Sequence, residues 1–223
     1  MSMAGDALPV LEARGLALTY ADGPRRVEAV RDVTLQVARG ECVGIVGPSG
    51  SGKSSLLFLL GGLRRPDAGE VRLLGQPLAA EPEANAALRR RHVGFLFQEP
   101  FLVPYLSVRE NALAHVDDPA AGARLERLAA AVGMGGLLDE RPWRLSGGQR
   151  QRAGLLRALA SDPDLVLADE PTAFLDQQAG HAVMELLRAQ RGRAALVVVT
   201  HDRSMLAGAT RVLALADGRL APA

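Results

Sequence analysis

The sequence lacks several features that would point to particular classes of protein. Its 223 residues contain one cysteine, Cys42, which lies in an apolar stretch and has no partner for an internal disulfide. It is therefore predicted to be a small core residue in a reducing compartment. No run of about 18 or more apolar residues occurs without charge, so no transmembrane helix is predicted. Residues 1–6 show no basic segment followed by an apolar one, and no signal peptide is predicted.

Charge of either sign is also not in excess, because the formal net charge is only +1. Such a balanced charge gives no sign of a strongly basic surface, so a nucleic-acid partner is not predicted. The hydrophobic fraction of 48% and the charged fraction of 23% are ordinary for a globular protein. The length suits one large α/β domain or a domain with an inserted subdomain. Any action at a membrane would require another chain.

One glycine-rich stretch fits G-x-x-x-x-G-K-[ST], the pattern of a phosphate-binding loop (P-loop); it consists of Gly47, Pro48, Ser49, Gly50, Ser51, Gly52, Lys53 and Ser54. Glycines without a Cβ let backbone N–H groups wrap closely around an anion. The lysine supplies positive charge for the terminal phosphates, and the last serine supplies a hydroxyl ligand for Mg²⁺. An apolar run at 43–46 and helix-forming residues at 53–60 flank the loop. The pattern therefore predicts a buried strand, a loop and a helix N-terminus in the order that phosphate binding requires.

A P-loop needs a second, acidic element, and Asp169 and Glu170 directly follow the apolar residues 165–168. A carboxylate at the end of a buried strand lies at the sheet edge where open α/β folds bind ligands. Asp169 is therefore the candidate partner of Mg²⁺. The side chain of Glu170 should point in a different direction, which makes it the candidate general base for an attacking water.

A second glycine-rich turn, Ser146-Gly147-Gly148-Gln149, precedes residues that favour a helix. It is an anion site of the same physical type as the P-loop. One chain has little use for two such turns on one nucleotide. A dimer can use both turns, because the second turn of one protomer can close on the phosphates held by the other. Trp143, just before this turn, is predicted to pack rather than to bind.

The order of predicted elements indicates an α/β fold. Strand-like segments before residue 43 predict an early antiparallel sheet, and strands alternating with helices after the P-loop predict a parallel sheet. The segment 107–142 is mostly helical; Ser107 and Glu110 form a capping-box pattern, and Leu125 begins an amphipathic stretch. We expect a P-loop core with an antiparallel β subdomain and an inserted α-helical subdomain. These form a single domain over 8–223, with the helical subdomain at about 100–160.

Together these stretches resemble the ATP-binding cassette (ABC) ATPases, whose signature L-S-G-G-Q is Leu145 to Gln149 here. The family's motifs occur in the family's order over essentially the whole chain. The resemblance implies that Tyr20 stacks on adenine, and that Gln98 touches Mg²⁺ or the attacking water and senses a permease. It implies that Asp169 is the Walker B aspartate and Glu170 the catalytic glutamate. Asp176 would end the D-loop, and His201 would be the switch histidine at the γ-phosphate. It also assigns Ser146, Gly147, Gly148 and Gln149 to the nucleotide site of the opposite protomer, and it implies that Asp176 is a nucleotide-binding residue.

Within the family, several phrases resemble the lipoprotein-release and macrolide-exporter group: residues 89–95, 97–98, 102–104 and 167–172. A cell-division ATPase is similar too. The chain departs from the family pattern in two places. Phe174 is a bulky residue in the D-loop, where a small or polar pair is usual before Leu-Asp, and the segment 107–145 is several residues shorter than usual.

The resemblance implies an ATPase that uses ATP and Mg²⁺, forms a homodimer on ATP binding, and drives a separate integral membrane permease. Such a chain is expected in the cytoplasm, peripheral on the inner face of the cell membrane, without a nucleic-acid partner. The alternative is an ABC ATPase that powers a non-transport process of the membrane or cell envelope. Both use the same cassette, so the residues alone leave the two open.

Overall fold

The structure is a computed structural model and describes residues 9–23 and 25–223. The expectations about residues 1–6 and about a domain start at residue 8 lie outside the described residues. In chain order the strands and helices are β1 (Leu11–Asp22), β2 (Arg25–Val37), β3 (Cys42–Val46), α1 (Lys53–Leu60), β4 (Ala68–Leu73), β5 (Gln76–Pro77), α2 (Ala86–His92), β6 (Val93–Leu96), α3 (Val108–Leu113), α4 (Ala121–Ala131), α5 (Gly147–Leu159), β7 (Leu165–Asp169), α6 (Gln177–Ala189), β8 (Ala195–Thr200), β9 (Arg211–Ala216) and β10 (Arg219–Pro222).

Two sheets organise the described residues, as the sequence predicted. The first is antiparallel, with the order β2-β1-β4-β5. The second has the order β10-β9-β3-β8-β7-β6, and its strands are parallel except for the final hairpin strand β10. Crossovers between parallel strands need long connections, and helices supply them here. The fold class is therefore α/β with an added antiparallel sheet.

The central strands bury both of their faces, because side chains alternate between two apolar layers. Leu165, Leu167 and Val197 face a layer formed with α1 and the antiparallel sheet. Val166 and Ala168 face the other layer, which includes residues of α3, α4, α5 and α6. Each fully buried leucine or valine contributes about 2 kcal/mol by transfer from water. This two-sided burial explains the near-continuous apolar runs of β3, β7 and β8.

Helices occupy the segment between β6 and β7, and within it α3, α4 and α5 pack on one another. Ser107 and Glu110 form the predicted capping box at α3, and Leu125 of α4 is fully buried. The bounds of this segment as a subdomain remain a prediction. No helix among the described residues has both the length and the apolar character needed to span a bilayer.

Two individual predictions have opposite outcomes. Cys42 is a free, buried cysteine in β3, as expected, and burial raises the pKa of its thiol. The prediction that Trp143 packs was wrong, because 59% of this residue is exposed. The guanidinium of Arg141 lies 5.3 Å from its ring centroid, and this contact covers one part of the indole.

Candidate active site

The carboxyl ends of four parallel strands bring most of the predicted site residues to one edge of the central sheet. Strand register sets this convergence, since Val46 of β3 lies opposite Thr200 of β8 and Asp169 of β7 lies opposite Val199. The P-loop leaves β3 at this edge, Glu170 and His201 directly follow β7 and β8, and the exposed Gln98 lies just past β6. This is the edge at which open α/β sheets bind ligands.

The P-loop turns tightly enough that glycine is required at its last position before the helix. Gly50 and Gly52 have φ of 79° and 100°, in the region that side chains with a Cβ disfavour. A Cβ on Gly52 would lie 1.9 Å from the carbonyl oxygen of Ala29, on β2. The glycine therefore lets the loop rest directly on the antiparallel sheet while it curls back into α1.

Lys53, the only lysine in the sequence, begins α1 and is only 8% exposed. Its Nζ donates to the carbonyl oxygens of Gly47 and Pro48 at 2.8 Å and 3.0 Å. The ammonium group is thus held inside the loop by weak neutral acceptors. No side chain caps the start of α1, so no side-chain oxygen occupies the N–H groups of its first turn. Both features suit an anion in the loop.

Two buried polar atoms at this edge lack a hydrogen-bond partner, Ser51 Oγ and Asp169 Oδ1. Burial raises the pKa of Asp169, with the Glu170 charge adding to the rise, whereas Ser54 as a hydrogen-bond partner and the charge of Lys53 oppose it. A buried carboxylate oxygen without a donor, beside a serine hydroxyl, is an arrangement that fits a hard divalent cation. The described residues contain no cluster of three or more His, Cys, Asp or Glu able to hold a metal. These residues therefore fit Mg²⁺ held largely by phosphate and water, rather than an all-protein cage.

Glu170 is 8% exposed and has an unusual backbone φ of 45°. Its Oε2 accepts a hydrogen bond from the Thr200 hydroxyl at 2.9 Å. Its Oε1 accepts one from the His201 backbone N–H at 2.9 Å and lies 3.0 Å from His201 Nδ1. The His201 side chain itself is 73% exposed. Strain at a residue with this φ persists only when its surroundings hold it, and here the end of β8 does so.

Tyr20 lies near the P-loop helix, with its hydroxyl accepting a hydrogen bond from Ser55 at 3.3 Å. The guanidinium of Arg64 lies 5.2 Å from the Tyr20 ring centroid. The Tyr20 ring therefore has a charged neighbour, Arg64, which follows α1 in the chain. The predicted stacking of adenine on Tyr20 has to use ring surface that Arg64 leaves free.

The turn Ser146-Gly147-Gly148-Gln149 starts α5, as predicted, and two of its side chains cap the helix. Ser146 Oγ accepts from the Gln149 N–H at 3.2 Å, and Gln149 Oε1 accepts from the Ser146 N–H at 2.8 Å. Asp176 caps α6 in the same way, since its Oδ1 accepts from the Ala179 N–H at 2.8 Å. The side chains of Ser146, Gln149 and Asp176 thus have structural roles in the chain itself. Contacts of the turn with a nucleotide remain a prediction.

The sequence did not single out three residues that the structure brings into this site: Thr200, Ser55 and Arg64. Thr200 is a polar residue at the end of an apolar strand, a signal that could have marked it. Ser55 directly follows the P-loop pattern, so its position was a weak signal. Arg64 lies in a polar stretch after α1, and nothing in the sequence indicates that it meets Tyr20.

Comparisons with known proteins agree with this geometry. The family model for ABC transporters matches residues 30–173. The lipoprotein-releasing system ATP-binding protein LolD of Chromohalobacter salexigens is 45% identical over 220 residues, covering 95% of this chain and 92% of the relative. LolD of Bordetella pertussis is 43% identical over 230 residues, covering all of both chains. The macrolide export ATP-binding/permease protein MacB 1 of Aeromonas hydrophila is 44% identical over 217 residues. This chain spans only 34% of that relative's length.

The fold has close counterparts among solved structures. A dimeric structure of a post-hydrolysis state of the ATP-binding cassette MJ0796, bound to ADP and Pi, superposes with a TM-score of 0.84 at 33% identity. It covers 95% of this chain and 98% of that one. The similarity therefore extends across the whole α/β architecture rather than the P-loop alone.

Proposed function

This chain belongs to the ABC transporter family as an ATP-binding subunit, and from that premise we propose that two copies bind ATP between them and hydrolyse it with Mg²⁺ to drive a separate membrane permease. The observation that carries the proposal is the joint burial of Lys53, Asp169 and Glu170 at one sheet edge. Lys53 has only neutral carbonyl acceptors, Glu170 is held by Thr200 and the His201 N–H, and Asp169 Oδ1 has no partner at all. A triphosphate with a cation would supply a charged partner for Lys53 and a partner for Asp169 Oδ1. Phosphoryl transfer asks the protein mainly for positioning and charge neutralisation.

The P-loop holds the phosphates in this proposal. Residues 47–54 present backbone N–H groups, and Lys53 exchanges two neutral carbonyl acceptors for charged phosphate oxygens. The positive end of the α1 dipole adds to the same attraction. Tyr20 binds the adenine ring by stacking.

Ser54, Gln98 and Asp169 are the proposed ligands of Mg²⁺, directly or through water. The bound cation neutralises charge that develops on the phosphate oxygens. Asp169 is the only carboxylate in this set, and its unpartnered Oδ1 is the protein oxygen that we assign to the cation. The Ser54 hydroxyl opposes the rise in the pKa of Asp169, as expected of two groups that lie side by side.

Glu170 is the proposed general base. It orients the attacking water and accepts its proton as the water oxygen bonds to the γ-phosphorus and the bond to ADP breaks. Thr200 and the His201 N–H fix the two oxygens of its carboxylate. His201 then stabilises the γ-phosphate with its exposed imidazole. Both residues act from the end of β8, so the strand positions the base.

The second copy completes each site in this proposal. The backbone N–H groups of Ser146, Gly147 and Gly148 approach the phosphates held by the partner, with Gln149 and Asp176 keeping α5 and α6 in place. The helical segment transmits closure to the permease. We place the chain in the cytoplasm, peripheral on the inner face of the cell membrane. The relatives named for lipoprotein release and macrolide export favour a transporter over a non-transport role in the cell envelope.

The test is the substitution Glu170→Gln, which keeps the shape of the side chain and removes the base. We expect ATP hydrolysis to fall by about 100-fold or more, while ATP binding persists and gel filtration with ATP shows a dimer. Glu185→Gln is the control, because Glu185 is an exposed glutamate on α6 and the change in charge is the same. A Glu170→Gln protein that stays monomeric with ATP, or that hydrolyses it normally, contradicts the proposal.

The permease is tested separately. The Glu170→Gln protein, loaded with ATP, is used to recover its partner from membranes of the source organism. Recovery of a multi-span permease is expected. Recovery of only envelope-remodelling proteins without such a permease would favour the non-transport alternative.

A further inference from the structure

Gln151 is a buried glutamine whose side-chain amide is only half satisfied. It lies on α5 and is 1% exposed. Its Nε2 donates to the Phe97 carbonyl oxygen at 3.4 Å, which is a long hydrogen bond, and its Oε1 has no hydrogen-bond partner. A buried amide in this state costs stability, and an apolar side chain of similar shape would remove that cost. Burial alone therefore gives no reason for a glutamine at this position.

The hydrogen bond from Gln151 reaches the peptide that leads into Gln98. The Phe97 carbonyl and the Gln98 N–H belong to one planar peptide unit, so holding the oxygen restricts the plane from which the Gln98 side chain departs. Gln98 is exposed and lies outside any helix or strand. Its place at the sheet edge therefore depends on the contacts of the loop that carries it.

A second anchor holds the same loop a few residues further along. Arg157 Nη2 donates to the Pro100 carbonyl oxygen at 2.6 Å, and its Nη1 donates to the Phe101 carbonyl oxygen at 2.9 Å. Between the two anchors, a Cβ on Gly154 would lie 2.8 Å from Pro100 Cβ, so the glycine lets the loop approach the helix closely. Gln151, Gly154 and Arg157 are spaced by three residues and share one face of α5. The helix thus holds the loop on both sides of Gln98.

We infer that Gln151 and Arg157 are positioning residues for Gln98: they fix its loop on α5 and so set where its amide meets the bound cation and the attacking water. The inference rests on the proposed function, because it uses the role given there to Gln98. A loop side chain acquires a defined position when a rigid element supports it. Precision matters here, since a shift of about 1 Å at a reacting site can slow catalysis by about 100-fold.

The test is Gln151→Met, because methionine is unbranched, similar in length and lacks the amide. We expect kcat for ATP hydrolysis to fall by about tenfold. KM for ATP should stay unchanged, because the P-loop contacts persist. The Mg²⁺ concentration for half-maximal rate should rise by at least about threefold. The melting temperature should stay the same or rise, since an unpartnered buried oxygen is lost. A merely structural role for the amide would lower the melting temperature instead.

A double-mutant cycle identifies the residue through which Gln151 acts. In a protein that carries Gln98→Ala, Gln151→Met should change kcat by less than about twofold, because the side chain that it positions is already absent.

Arg157→Lys tests the second anchor independently, and it keeps the inference testable if the methionine protein folds poorly. The lysine keeps the charge but loses the planar, two-armed contact with the Pro100 and Phe101 carbonyls. It should lower kcat, leave KM unchanged and show the same dependence on Gln98.

The matched control is Gln190→Met. Gln190 is a partly buried glutamine at the end of α6, and its Nε2 also donates to a backbone carbonyl, that of Leu186 at 3.1 Å. The same substitution there should leave kcat, KM and the Mg²⁺ dependence unchanged.

The outcomes separate this inference from the proposed function. If the parent protein does not hydrolyse ATP with Mg²⁺, the proposed function fails. If the parent hydrolyses ATP and Gln151→Met and Arg157→Lys retain its full kcat, the positioning role fails and the proposed function stands. An unchanged kcat in Gln98→Ala, or an undiminished effect of Gln151→Met in that background, also overturns the positioning role. An equal loss from Gln190→Met does the same.

Discussion

At the scale of single residues, Tyr20 and Arg64 form a contact beside the site proposed for adenine. The guanidinium lies 5.2 Å from the ring centroid, and the Ser55 hydroxyl holds the ring's other end. A cation near an aromatic face contributes about 0.5–1 kcal/mol at exposed sites. Arg64 is therefore a positioning residue: it restrains the ring on which adenine is expected to stack.

Arg64→Ala should weaken ATP binding by about two- to fivefold, which corresponds to loss of that interaction. Binding of inorganic triphosphate, which has no base, should not change. Isothermal titration with both ligands measures the difference. Arg65→Ala is the control, since Arg65 is the next residue and its side chain is 65% exposed. Tighter ATP binding by Arg64→Ala would mean that the guanidinium occupies the ring face needed by adenine, which contradicts the prediction.

At the scale of secondary-structure elements, the sequence was most informative where one short pattern decides the local structure. The glycines of the P-loop, the capping-box residues Ser107 and Glu110, and the apolar run before Asp169 all act within one turn or one strand. Such patterns fix an element's type because backbone sterics and hydrogen bonds within a few residues dominate. These elements formed as predicted.

Contacts between distant elements were not predictable in the same way. The hydrogen bonds from Thr200 and His201 to Glu170 depend on β8 lying beside β7, and no local pattern specifies that pairing. The contact of Arg64 with Tyr20 likewise joins the end of α1 to β1. Gln149 is an opposite case, because a local pattern was sufficient: its capping role follows from S-x-x-Q. The family resemblance had instead assigned Gln149 to the nucleotide site.

Asp164 ties several elements together at the start of β7, away from the P-loop edge. Its Oδ1 accepts from Arg39 at 2.6 Å, and its Oδ2 lies 2.7 Å from His92 Nδ1. Burial raises its pKa, but the hydrogen bonds and charges of His92 and Arg39 outweigh that effect, and the net pKa is lowered. The ionised carboxylate therefore stabilises the fold.

Asp164→Asn should lower the free energy of unfolding by about 1 kcal/mol at pH 7, a modest value because Arg39 is half exposed. The sign follows from linkage: a lowered pKa gives stability that is present above the ordinary value of 3.8 and lost as the pH falls below it. The difference between the variant and the parent should therefore shrink at an acid pH below that value, where the carboxylate of the parent becomes protonated. Urea unfolding at both pH values measures this.

Asp117→Asn is the control for that experiment, because Asp117 is an exposed carboxylate on the same cavity as Asp164. It should leave the urea midpoint unchanged at both pH values. A difference between Asp164→Asn and the parent that persists undiminished at low pH would show that packing, rather than charge, explains the loss.

At the scale of the whole molecule, the two apolar layers on either side of the central sheet carry different parts of the candidate site. The layer with α1 and the antiparallel sheet carries the P-loop and Tyr20, and the layer with α3 to α6 carries the turn that begins α5. The strands between them end in Asp169 and Thr200. One chain therefore carries the P-loop and the α5 turn on different layers, which is the arrangement that the proposed two-copy nucleotide site requires.

The burial of Lys53 has a practical consequence at this scale. As the single lysine of 223 residues, it is the only side-chain amine that an acylating reagent can modify. Peptide mapping after brief acylation separates Lys53 from the N-terminal amine. We expect slow labelling of Lys53 in the free protein and near-complete protection in the presence of ATP. Unaltered labelling in saturating ATP would show that triphosphate does not sit over this amine. The single lysine thus gives this chain a chemical reporter of whether the P-loop is occupied.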